Sequence, residues 1–118
     1  MSVKTVFRIT SNGLYPAPNL AGGLEKNPHD PDAKEIDIAR KWIHAHATPR
    51  KRINHHISSY GLKHHVEDWT AVNGTRAYVS NGAFIAAAVL EGYKYVQAGE
   101  GSPNACFNMS VPRRGGVR

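Results

Sequence analysis

Seven histidines in a chain of 118 residues are the first candidates for chemistry. His44 and His46 stand two apart on what the surrounding pattern predicts to be a helix, so their rings diverge and cannot chelate one ion as a pair. One member of His55-His56 and one of His64-His65 could meet across a turn. Neither the H-E-x-x-H spacing nor a pair of cysteines accompanies them. The histidines are therefore read as partly protonated hydrogen-bonding groups on a basic surface, which would strengthen binding of an acidic partner below about pH 6.5. No metal and no other cofactor is expected. Acid–base and nucleophilic candidates are equally thin. Glu67 and Asp68 are adjacent, so on a helix they diverge and are read as surface charges. A Ser58, His64 and Asp68 triad can be written down, but any helix so rich in polar residues would permit one. The G-x-S-x-G, P-loop and G-x-G-x-x-G strings are absent, and Asn81-Gly82 opens a helix instead of a nucleotide loop. The carboxylates are not clustered as a metal-dependent nuclease requires. No catalytic residue is assigned, and the expectation is a binding protein, not an enzyme.

Charge is the stronger signal. The formal net charge is +6, and its distribution is uneven. Between Asp37 and Glu67 no acidic residue interrupts the chain, while Arg40, Lys41, Arg50, Lys51, Arg52 and Lys63 lie there with six of the histidines. A solvated face of mixed sign would not sort its charges in this way, and the asymmetry points to a polyanion. Arg40, Lys41, Arg50, Lys51, Arg52 and Lys63 are the expected phosphate contacts, helped by His55 and His64. Ser59 offers a hydroxyl at a helix N-terminus. Asn81 is the one side chain in a position to read a base, by a bidentate contact to adenine. Arg113 and Arg114, in the tail 112–118, are expected to track the backbone or the minor groove as a flexible arm.

The elements that must position these groups follow from periodicity. Val3, Thr5, Phe7 and Ile9 alternate with mostly polar residues, which predicts an N-terminal strand. Repeated prolines and glycines make 11–33 a long loop. A first helix is predicted over 32–46, capped by Asp30 or Asp32 and stopped by Thr48-Pro49. After the basic stretch Arg50-Lys51-Arg52, a second helix is predicted over 58–69, with Leu62, Val66 and Trp69 on one stripe. Residues 70–77 are expected to turn. The third helix, 80–91, begins at the N-cap Ser80 and ends before Gly92. Its run Ala83 to Leu90 is apolar all round, which requires burial on most sides. Residues 93–96 and 106–111 then alternate as a β-hairpin, with Cys106 as a small apolar strand residue.

These elements give one domain over 1–118, α+β and mainly helical. The order is that of a three-helix core resembling a winged helix-turn-helix, with a C-terminal β-hairpin and an N-terminal strand that could join it. Its length suits a single modest core, no apolar run is long enough to cross a bilayer, and a lone cysteine fits a reducing cytoplasm. Contact is expected in 40–65 and a structural role in 78–92, because a helix that turns to alanine after Asn81 reads bases poorly.

Three blocks carry a resemblance: Ser58-Ser59-Tyr60-Gly61-Leu62-Lys63-His64, Tyr78-Val79-Ser80-Asn81-Gly82-Ala83-Phe84-Ile85-Ala86-Ala87-Ala88 and Ser102-Pro103-Asn104-Ala105-Cys106-Phe107-Asn108. Over 49–110 the chain resembles small proteins of phages, prophages and other mobile elements. The resemblance brings no catalytic residues and implies the cytoplasm of a bacterial host. It implies two unlike roles: a nucleic-acid-binding regulator or accessory factor acting on duplex DNA, or an anti-defence, anti-CRISPR-like protein. The latter would dock on an acidic host protein or nucleoprotein complex. A second copy of the chain is also admitted as a partner, and a membrane is not.

Overall fold

The computed structural model describes residues 7–16 and 30–112. Ser80 sets the start of the central helix: its hydroxyl accepts from the amide of Ala83 at 3.1 Å, an N-cap bond that satisfies an otherwise unpaired donor. From there α3 (Asn81–Leu90) runs to a glycine-dependent stop. Gly92 has φ +91°, and the amides of Gly92 and Tyr93 donate to the carbonyls of Val89 and Ala88. That is a Schellman closure, which needs a left-handed residue at this position. Ala83, Phe84, Ile85, Ala87 and Ala88 are completely buried, as an all-apolar helix must be.

Two further helices cover α3. The first, α1 (Ala33–His46), buries Ala39, Trp42 and Ile43, and α2 (Ser59–Val72) buries Leu62 and Val66. Asp32 and Ser58 occupy their N-cap positions with extended backbone, yet neither side chain makes a capping bond. The N-terminus of α3 is tied to α1 instead, where Glu35 accepts from the amide of Ser80 at 2.8 Å. Trp42 and Phe107 both meet the Phe84 ring edge to face, joining α1 and the sheet through α3.

The strands form two small antiparallel sheets. In the first, β1 (Phe7–Thr10) pairs with β2 (Gly13–Pro16). In the second the order is β3-β5-β4, built from β3 (Thr48–Asn54), β4 (Tyr95–Gln97) and β5 (Ala105–Ser110). Cys106 lies buried in β5, and burial pushes its thiol up from the ordinary value. Over the described residues the chain is thus an α+β unit with three helices and two sheets. Among the described residues no helix is long and apolar enough to cross a membrane.

Several boundaries differ from the sequence expectation. The loop expected over 11–33 contains β2, and its stretch 17–29 lies outside the described residues. The N-terminal strand does not join the C-terminal hairpin: β1 takes β2 as its partner, and the third strand of the larger sheet is β3. That strand was expected as a basic connector, because Pro49 and three consecutive cations have little strand propensity. It pairs because β5 supplies a partner, and an edge strand tolerates proline. Helix α2 also continues to Val72, closing onto Asn73, whose amide donates to the carbonyl of Trp69.

Candidate nucleic-acid interface

The basic stretch occupies the edge strand β3, where the sheet register breaks. Pro49 stands opposite Met109 and Asn54 opposite Phe107, so 50–53 faces Asn108 alone. The surplus residues form a bulge, which bends the strand and turns its side chains off the ladder. Asn54 pins its end: the side-chain amide donates to the carbonyl of Met109 at 3.2 Å, and Oδ1 accepts from the amide of His56 at 3.0 Å. Arg50, Lys51 and Arg52 are all exposed, as are His55 and His56 after the bend. Among the described residues none of the three cations is ion-paired, whereas the two expected contacts on α1 are matched. Arg40 holds Glu91 at 2.9 Å and Lys41 holds Asp37 at 3.1 Å, so these two face solvent with their charge balanced. Charges at a sheet edge also discourage pairing with another chain, and the bulge contributes to that whatever it binds.

Lys63, expected as a phosphate contact, points inward. Its side chain is 7% exposed and its ammonium lies 3.0 Å from Oε2 of Glu67, itself 5% exposed. Glu67, expected as a surface charge, is in fact the centre of a cluster. It also accepts from the Val79 amide at 3.0 Å, meets Nδ1 of His64 at 3.0 Å and lies 3.4 Å from the Arg76 guanidinium. Burial, the largest single influence, would raise the Glu67 carboxyl. The Val79 amide, the Lys63 hydrogen bond and charge, and the His64 contact together outweigh it and hold the carboxyl below its ordinary value. Arg76 donates to Asp68 at 2.8 Å, and that hydrogen bond raises its already high value further. The cluster joins α2 to the connector before α3, and the Lys63 ammonium sits over the rings of Tyr60 and Tyr78. Sequence reasoning missed Glu67 because its burial depends on Val79, a partner outside the helix.

Ser59 and Asn81 are likewise interior. The Ser59 hydroxyl is completely buried, donates to Oδ1 of Asn81 at 2.6 Å and accepts from the amide of Ala105 at 3.0 Å. Asn81 donates from Nδ2 toward the carbonyls of Asn12 and Pro103 and toward Oδ1 of Asn104. Its amide is therefore committed inside the protein and does not read a base. Three sequence blocks converge here: Ser59 from the first, Ser80 to Gly82 from the second, Pro103 to Ala105 from the third. Gly82 lets the β1–β2 turn reach them. Its amide donates to the carbonyl of Ser11 at 3.0 Å, and a Cβ on Gly82 would fall onto the carbonyl of Thr10.

Helix α3 cannot enter a groove, because its first five residues are buried. Arg113 and Arg114 lie outside the described residues. His64 is half-buried, with its ring perpendicular to that of Tyr60 at 4.8 Å. His65 is buried edge-on to Trp42, and His46 lies between Trp42 and Trp69. Among the described residues no group of three or more His, Cys, Asp or Glu side chains is gathered as metal ligands would be. The arrangement leaves Arg50, Lys51, Arg52 and His55 exposed along the edge strand and the turn after it, and withdraws Ser59, Lys63 and Asn81 into the interior. No protein-family model matches the chain, and no curated protein or solved structure is similar to it.

Proposed function

We propose that this chain binds nucleic acid through the phosphate backbone, with the bulged β3 edge as the contact. The supporting observation is the exposure of Arg50, Lys51 and Arg52 on one edge strand with no carboxylate partner among the described residues. Phosphates would replace water around three uncompensated cations, with His55 and His56 exposed beside them. Such contacts position a protein on a strand without reading its sequence. In this reading the winged helix-turn-helix comparison extends to the order of elements and not to the docking mode: the β3 edge contacts the ligand and α3 supports the framework. A role as a regulator or accessory factor of a phage or mobile element fits that mode.

The same exposed cations favour one other reading, an acidic surface of a host protein docked against β3 through its side chains, as an anti-defence protein would use. Gel retardation separates the two. Micromolar protein should retard random duplex DNA at low salt, and alanine at Arg50, Lys51 and Arg52 should weaken the shift strongly while circular dichroism stays unchanged. No retardation by the native chain at low salt would remove the nucleic-acid reading and leave the protein partner.

A further inference from the structure

We propose that Tyr60 and Tyr78 form a stacking site for unpaired nucleobases, so that the strand held best is single-stranded. This rests on the phosphate-binding reading above and adds a second contact to it.

Tyr60 and Tyr78 are 52% and 67% exposed, although most other large apolar side chains of α2 and the connector are covered. The two rings are neighbours because they share one cation: the Lys63 ammonium lies 5.5 Å from the centre of Tyr60 and 4.5 Å from that of Tyr78. Both are held from behind by the same carboxylate. Glu67 fixes Lys63 at 3.0 Å and accepts from the amide of Val79, the residue after Tyr78, also at 3.0 Å. The His64 ring stands at 88° to Tyr60 and is fixed on Glu67 through Nδ1. Two exposed rings on a rigid support, with their inner sides over an ammonium, leave outer surface for a flat partner. Aromatic side chains beside a basic path are how proteins hold single strands, since every base has a π-face.

Charge decides between a base and a protein side chain as the occupant. Around the rings Lys63 and Arg76 are matched by Glu67 and Asp68, so the patch itself is nearly balanced. Arg50, Lys51 and Arg52, three consecutive exposed cations with no ion pair among the described residues, lie on β3, and the chain passes from Arg52 through His55 and His56 to Tyr60 with no intervening element. An anionic strand held on β3 would follow the chain toward Tyr60 and reach the rings. A duplex would meet the β3 edge alone, because its bases are already stacked.

The test is fluorescence anisotropy at low salt with a labelled single strand, the same strand made abasic, and its duplex. The native chain should bind the base-bearing single strand most tightly. Tyr60→Ala and Tyr78→Ala should each weaken it by roughly tenfold or more, leave the abasic strand and the duplex unchanged, and be rescued by Tyr60→Phe and Tyr78→Phe. Unchanged single-strand affinity in a folded Tyr60→Ala, Tyr78→Ala double variant overturns the stacking site while duplex binding persists. Equal loss on all three probes also overturns it. If the native chain binds none of them, the phosphate-binding reading itself is overturned.

Discussion

Replacing Glu67 with alanine should destabilise this protein far more than its place in a run of helical surface residues suggests. The carboxylate and its Lys63 partner are 5% and 7% exposed, so the pair is desolvated. Removing the acid leaves a buried ammonium and the Val79 amide without their acceptor. A buried pair broken from one side costs about 3–5 kcal/mol, which for a domain of this size lowers Tm by about 10–20 °C. Urea unfolding followed by Trp42 and Trp69 fluorescence measures the loss, and Lys63→Met in the same background should recover part of it because no unpaired charge then remains. The pH dependence carries the same signature. The folded-state carboxyl lies below its ordinary value of 4.5, so its contribution is complete above that value and is lost as pH falls through the lower folded-state value. Glu67→Gln should therefore flatten the stability profile below about pH 4.5. A Glu67→Ala cost under about 1 kcal/mol would refute the reasoning, since that is the scale of a solvated ion pair.

Other substitutions test the framework. Asn81→Ala should cost about 1–3 kcal/mol in urea unfolding, because it strands the buried Ser59 hydroxyl. Gly82→Ala should force α3 away from the Thr10 carbonyl, seen as faster exchange of the amide at position 82 and of Leu14 than in the native chain; native-like protection there would contradict the close approach. Ala87→Glu should abolish folding, because Ala87 is fully buried; a folded, soluble variant would mean that this face of α3 is open.

The helices were legible in the sequence because their signals are local. Ser80 as cap, Gly92 as stop and the Leu62, Val66, Trp69 stripe act within a few turns, and each has its counterpart in α2 or α3. What escaped was made by distant partners. Gly13 to Pro16 becomes a strand only beside β1, and Thr48 to Asn54 only beside β5. The candidate site divided in the same way. Arg50, Lys51, Arg52 and His55 are exposed on an irregular sheet edge and the turn after it. Ser59 and Asn81 are interior because Ala105 and Asn104 lie within reach in three dimensions, and Lys63 because Glu67, its neighbour one helical turn on, is itself held inward by the amide of Val79. Charge counted along the chain cannot distinguish an ammonium over two rings from one in water.

The central claim is that the β3 edge carries the contact with phosphates, and the salt dependence of binding measures it most directly. Three contacts from Arg50, Lys51 and Arg52 predict a log–log slope near −2.7 on duplex DNA, or roughly a 40-fold loss of affinity between about 50 and about 200 mM salt. The triple alanine variant should bring that slope close to zero. A native slope that survives in the variant would place the phosphate contacts elsewhere and contradict the account.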